Sequence, residues 1–244
     1  MAMTAPSDAR SGSSKATSAT AVPDVHLDLG CGKFPRNPYK RAALCGTDIR
    51  AIPGSAGFDF RAANLAVEAI PWPDNTFGSV SGFDFIEHVP RILLSADGRA
   101  TRFPFIELMN EIWRVLAPGG HLYTVTPTYP HPEAFQDPTH VNIITERTHE
   151  YFCGDSPLAR MYGFVGNFSV RRAQWVSLHE SFDAGSEGRP TPTKPPRPWH
   201  KRFADKVRRA GRRLRGHRTN ATGERLMYFL WELEAVKAMP GRSA

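Results

Sequence analysis

A doubly wound α/β sheet with mostly parallel strands is the fold this chain predicts, on three observations. Short apolar runs alternate with helical stretches over much of its length. The first run, Val25-His26-Leu27-Asp28-Leu29, carries an acid near its end and breaks into Gly30-Cys31-Gly32. A second run, Leu44-Cys45-Gly46-Thr47-Asp48-Ile49, brings another acid to its end about twenty residues after Asp28. Such strands pair in parallel through right-handed crossovers, and ligands sit beyond their carboxyl ends. Asp28, Asp48, Asn64 and Asp84 therefore fall along one rim.

The elements follow in chain order. At the first turn, glycine lets the backbone bend and lie against a ligand, while Asp28 can accept from a ligand ammonium or fix the loop. A dinucleotide fingerprint would place a third glycine where Pro35 stands, so a nicotinamide or flavin loses support. Asp48 is the expected ligand of a ribose diol if the first two strands are neighbours. Phe58-Asp59-Phe60 leads to Asn64-Leu65, then to Ile70-Pro71-Trp72-Pro73-Asp74-Asn75. A fourth strand, roughly 77–83, empties into Asp84-Phe85-Ile86-Glu87-His88-Val89. Residues 108–116 read as a helix stopped by Ala117-Pro118-Gly119-Gly120, and 121–126 as a fifth strand. Two strand-like runs, 168–178 and 226–236, flank a long insertion.

The D-x-G-x-G of 28–32, the acid at Asp48, the Asn64-Leu65 step, the Glu87-His88-Val89 strand exit and the Leu-x-Pro-Gly-Gly of 116–120 come in an order that resembles the Rossmann-like (class I) methyltransferases dependent on S-adenosylmethionine (SAM), of the type 11-like group. The resemblance spans about residues 24–180, with a strand returning near 226–236. It implies a seven-stranded sheet whose last strand is antiparallel, and SAM as cofactor. It assigns Asp28, Gly30, Cys31 and Gly32 to the methionine end and Asp48 with Ile49 to the ribose. Asn64 would read the adenine amino edge with Leu65 beside the ring, and Asp84 and His88 would close the site. The family often has a further glycine where Phe34 stands here.

The acceptor side is read from 127–142, a proline-stiffened loop after the fifth strand. A hydroxyl attacking an activated methyl must lose its proton, and His140 is the candidate base, with Asp137 or another acid orienting its imidazole. Asp137 and His140 stapling the loop through backbone hydrogen bonds is the competing reading. His131, Asp137 and His140 have the composition of a two-histidine, one-carboxylate metal site, but no metal is expected from spacing on an irregular loop. The loop resembles those of bacterial methyltransferases tied to polysaccharide and glycoconjugate assembly. That implies O-methylation of a sugar hydroxyl or a related small-molecule acceptor, with Tyr129, Phe135 and Tyr151 available to stack on sugar faces. An RNA methyltransferase and a non-catalytic SAM-binding scaffold are the alternatives.

Composition accommodates this reading. With 244 residues, 41% of them hydrophobic, the chain can bury one core, giving a domain over 23–240. Three scattered cysteines form neither a disulfide framework nor a zinc site, and a cytoplasmic setting is expected. Residues 1–22, rich in Ala, Ser and Thr, are expected to be disordered. The net charge of +7 is local: between Arg189 and Arg218 twelve Lys and Arg stand against Asp205 alone, so the rest of the chain is acidic. This Pro-rich and basic insertion, 189–223, carries Trp199, Phe203, Val207, Ala210 and Leu214 at helical spacing. The stripe over 199–215 suits packing on the domain, or peripheral contact with an anionic membrane surface at the inner face, ahead of nucleic acid. The oligomeric state is not indicated.

Overall fold

The computed structural model describes residues 21–52, 57–177 and 225–238. The N-terminal segment expected to be disordered, up to residue 20, and the basic insertion at 189–223 lie outside the described residues.

Seven strands form one sheet: β1 (Val25–Leu29), β2 (Ala43–Asp48), β3 (Asp59–Ala62), β4 (Phe77–Phe83), and, after a small hairpin of β5 (Leu93–Leu94) and β6 (Thr101–Arg102), β7 (Leu116–Pro127), β8 (Phe168–Val176) and β9 (Tyr228–Ala235). Their order is β3-β2-β1-β4-β7-β9-β8. The first five pair in parallel, while β9 runs antiparallel to both β7 and β8. This is the seven-stranded, mostly parallel α/β sheet expected above, with the reversed strand inserted beside β7.

Burial explains the order. Every residue of β4 is buried, as a central strand covered on both faces requires. Along β7 and β9 neighbours alternate between two clusters: Leu122, Phe229, Trp231 and Leu233 join the main core, whereas Tyr123, Val125 and Leu230 join a smaller one on the opposite face. Helix α1 (Pro104–Val115) starts with proline at its first turn and turns Phe105, Leu108, Met109, Ile112 and Val115 inward onto the main core.

The connections depart from the expected alternation. Among the described residues only α1 and the one-turn α2 (Glu133–Gln136) are α-helical. The β1–β2 connection, 30–42, forms no helix, because Pro35 has no N–H to donate and Pro38 disfavours the α conformation at Asn37. Asn37 instead closes a compact loop by accepting the Arg41 N–H at 3.0 Å and donating to the Arg41 carbonyl at 2.8 Å. That loop covers the second face where a helix would lie. Tyr39 stacks on His121 with ring centroids 5.4 Å apart and donates its hydroxyl to Glu232 at 2.8 Å.

The Ala117-Pro118-Gly119-Gly120 segment, expected as a turn, belongs to β7. Phe77 pairs with Leu116 and Ser79 with His121, so the extra residues bulge out of the ladder, with Gly119 at φ +74°.

Between β1 and β4 lies a buried polar chain. Ser81 donates to the Asp28 carboxylate at 2.6 Å, so its oxygen must accept from His26 Nε2 at 2.8 Å. His26 Nδ1 then accepts from Ser79 at 2.8 Å, and Ser79 accepts in turn from Arg41 Nε at 3.4 Å. Burial first, then the Arg41 charge, lowers the His26 pKa to about 3, which keeps the ring neutral as this chain demands. Replacing His26 by alanine would leave two buried hydroxyls short of a partner. It should cost about 2–4 kcal/mol in denaturant unfolding, and a cost below about 0.5 kcal/mol would contradict this account.

Candidate functional site

The carboxyl ends of β1, β2, β3 and β4 border one cleft of about 630 Å³. Gly30, Asp48, Ile49, Asn64, Leu65, Asp84 and His88 all line it, together with Thr47, Arg50, Phe85 and Thr139. Of the four rim residues inferred from strand ends, Asp48, Asn64 and Asp84 share this surface and Asp28 does not.

The glycine turn forms its floor. Gly30 has φ +63° and Gly32 φ +54°, values that L side chains rarely adopt. A Cβ on Gly30 would stand 2.7 Å from the Phe85 ring, a cleft wall. Asp28, Cys31 and Gly32 do not line the cleft but sit behind it. Asp28 is 1% exposed, with one oxygen on Ser81 and the other accepting the Arg36 N–H at 2.8 Å. Of the two roles open to it, the fold gives it the fixing of the loop. Gly32 donates its N–H to Asp48 at 3.1 Å, and Cys31 donates its N–H to the Thr47 carbonyl at 3.1 Å, tying the turn to β2. Burial, then the Asp28 and Asp48 charges, pushes the Cys31 thiol up to about 12, so it stays protonated and packs as a small residue behind the cleft.

Asp48 meets the cleft at the end of β2. Its carboxylate accepts the Arg50 N–H and Nε, each at 3.0 Å, besides Gly32. Burial works against its charge, but the Arg50 hydrogen bonds and the backbone donors outweigh it and hold the carboxyl below its usual range. The Arg50 side chain is 76% exposed, so a ligand hydroxyl pair can displace it at little cost. Asn64 is already engaged. Its carboxamide oxygen accepts the Ala66 N–H at 3.2 Å, closing a turn. The oxygen keeps a second lone pair and the NH₂ group its protons, so either edge of the carboxamide can still meet a ligand.

At the other end, β4 delivers Asp84 with φ +49° and then a single 3₁₀ turn, Ile86–His88. Asp84 opens onto the cleft, yet surrounding protein desolvates its carboxyl and raises it, against the pull of Arg36, His140 and His88. The loop after β7 is sewn to this turn. The Val141 and Asn142 N–H groups donate to the Glu87 carbonyl at 3.0 and 2.9 Å, and Asn142 Nδ2 donates to the Ile86 carbonyl at 3.1 Å. This brings the His140 ring within 4.7 Å of the His88 ring, centroid to centroid.

Asp137 does not orient His140. It accepts the Thr139 N–H at 2.8 Å and the Thr139 hydroxyl at 2.7 Å, and that hydroxyl meets His88 Nδ1 at 2.9 Å. His140 Nδ1 instead pairs with the Ala134 carbonyl at 3.2 Å, so Nδ1 carries the proton and Nε2 the lone pair. The sequence grouping of His131, Asp137 and His140 is also not formed. His131 is buried, its ring 5.3 Å from that of Trp175. The group that does converge is Glu87, His88 and His140, with one ligating atom of each within 4.8 Å of the others. Glu87 was legible only as part of the strand-exit motif, and Thr139 only as a loop residue. Their convergence comes from the β4 and β7 exits being adjacent. Tyr129 and Phe135 stand at the loop surface, 54% and 48% exposed, in an edge-on pair, while Tyr151 lines a separate cleft of about 500 Å³ with Arg91, Phe103 and Tyr162.

No family model and no curated protein matches the chain. Among solved structures it is similar to a putative methyltransferase in complex with the Trm112 activator of Haloferax volcanii, at 14% identity over 88% of this chain and 83% of that one, TM-score 0.47. It is also similar to a SAM-dependent methyltransferase from Methanosarcina mazei, at 15% identity over 88% and 94%, TM-score 0.43. A third is the 1,6-didemethyltoxoflavin N1-methyltransferase of Burkholderia thailandensis with bound S-adenosylhomocysteine, at 12% identity over 88% and 72%, TM-score 0.45.

The burial of Asp28 makes a pH prediction. Burial raises its carboxyl from 3.8 to about 7, so between those values the folded chain keeps a proton that the unfolded chain has lost. Its contribution to stability is full below about pH 4 and is lost as pH rises through 7. Asp28→Asn, which has no proton to lose, should therefore gain on the parent chain by roughly 2–4 kcal/mol between pH 4 and 8 in denaturant unfolding. A difference that stays flat over that range would overturn the assignment.

Proposed function

We propose that this chain is a SAM-dependent methyltransferase acting on a hydroxyl of a sugar or a related small-molecule or glycoconjugate acceptor. The observation that carries the reading is the single cleft across four parallel strand ends, which has a positive-φ glycine at one wall, a carboxylate at the second strand and His88 at the far side with the His140 ring packed against it. Its parts fit an adenosyl ligand. Asp48 is an acceptor for a ribose diol, Leu65 gives a purine an apolar wall, and the open backbone at Gly30 admits a methionine chain.

When bound, SAM supplies a methyl group already activated by its sulfonium. The protein must bring the acceptor oxygen in line with the carbon–sulfur bond and take its proton as the new oxygen–carbon bond forms. The proton is taken beside the cleft wall at His88, where the His140 ring packs against the His88 ring and both rings are held by their Nδ1 atoms. Asp137 acts one step back, holding His88 through Thr139. The exposed Tyr129 and Phe135 rings favour a sugar, whose faces stack on aromatics. No helix among the described residues is long and apolar enough to cross a membrane. Contact of 199–215 with an anionic membrane surface is kept as a proposal for the acceptor's location.

In a thermal-shift assay SAM and S-adenosylhomocysteine should stabilise the chain and NAD should not. Asp48→Ala should weaken SAM binding by about 10–100-fold, while His140→Ala should keep that binding and lose methyl transfer by about 100-fold or more. Label from methyl-labelled SAM should appear in saccharide or glycolipid fractions of a cell extract. Absence of any response to SAM ends the reading, and label in RNA alone replaces the acceptor class.

A further inference from the structure

We propose that Glu87, His88 and His140 bind a divalent first-row transition-metal ion at the acceptor end of the cleft. The inference rests on the methyltransferase reading only for its purpose, not for the site itself.

Three observations on separate side chains meet here. One ligating atom from each of the three residues lies within 4.8 Å of the others. Donors around an ion with bonds of about 2.1 Å stand roughly 3–3.5 Å apart, so closing the set takes about an ångström of movement from two partly exposed rings. Second, both rings are prepared to ligate through Nε2. Thr139 gives its only hydroxyl proton to Asp137, so it must accept the Nδ1 proton of His88. The Ala134 carbonyl can only accept, so it takes the Nδ1 proton of His140. Each imidazole thus presents a bare Nε2 and a neighbour on its other nitrogen, the arrangement that fixes metal-binding histidines. Third, the Glu87 side chain is 1% exposed, and while Oε2 accepts from Thr126 at 2.8 Å, Oε1 has no partner. An unpartnered buried carboxylate oxygen is costly unless a cation or donor meets it.

Two imidazoles and one carboxylate suit Zn²⁺, Co²⁺, Mn²⁺ or Fe²⁺ and leave coordination positions open, whereas Mg²⁺ favours an all-oxygen set. In the methyl transfer, the acceptor oxygen would occupy an open position. With the ion bound, His88 and His140 would act as its ligands in place of acting as the base: the hydroxyl acidity would rise, its proton would pass to water in the cleft, and the oxygen would attack the methyl carbon as the carbon–sulfur bond breaks and its electrons stay on sulfur. The ion undergoes no change of oxidation state.

The test is metal binding to the full chain after chelator treatment, followed by calorimetry with Zn²⁺ and Mg²⁺ and by visible absorption with Co²⁺. One equivalent of Zn²⁺ and of Co²⁺ should bind, Mg²⁺ at least tenfold more weakly, and His88→Ala, His140→Ala and Glu87→Gln should each lose at least tenfold in affinity. Circular dichroism and thermal unfolding of each variant, measured in parallel, report whether the fold survives. His140→Gln serves where alanine does not fold. Absence of saturable binding at one equivalent, or equal affinity in His88→Ala and His140→Ala, overturns the site. If the metal binds and SAM does not, the site stands and the methyltransferase reading falls; if SAM alone binds, the reverse holds.

Discussion

The structure depends on one buried carboxylate. Asp28 sits at the end of β1 with Ser81 on one oxygen and the Arg36 N–H on the other, and a chain of hydrogen bonds carries the arrangement back through His26 and Ser79 to Arg41. Burying a polar carboxyl group is costly unless hydrogen-bond partners meet it, so every member of this chain is constrained by the next. The consequence is mechanical. The strand β1 is locked to β4, the loop 30–42 is pulled against the sheet, and Gly30 is held at the positive φ that opens the cleft.

That constraint also explains how a loop replaces a helix. A helix after the glycine turn would bury an apolar stripe on the sheet, but Pro35 and Pro38 prevent it. Tyr39 supplies the cover instead, reaching Glu232 on β9 and His121 on β7. The cleft thus has a floor fixed by polar bonds rather than by the N-terminus of a helix, and its selectivity must come from side chains such as Asp48 and from the backbone at Gly30.

Much of the architecture was legible because strands in a buried parallel sheet are short apolar runs with clear ends. The runs at 25–29, 77–83 and 121–126 and the acids Asp48 and Asp84 fall where the pattern placed them. The Pro-Gly-Gly segment was misread because a bulged strand and a turn use the same residues, and only pairing with Phe77 distinguishes them. Asp28 has a composition fit for ligand contact and a burial that forbids it. His140 was read with neighbours close in sequence, Asp137 and His131, whereas its neighbours in space are His88 and Glu87.

The amino-acid sequence by itself determined the parallel strands and the ends to which Asp48 and Asp84 are delivered, because strand periodicity, glycine conformational freedom and proline stiffness act within a few residues; the reversed last strand was implied only by the family resemblance. Which groups face the cleft, which hydrogen bond each histidine nitrogen makes, and whether Glu87 keeps an unpaired oxygen were decided only by the tertiary structure. Those outcomes follow from the side-by-side packing of the β4 and β7 exits, segments about fifty residues apart along the chain, and no local pattern encodes the distance between them.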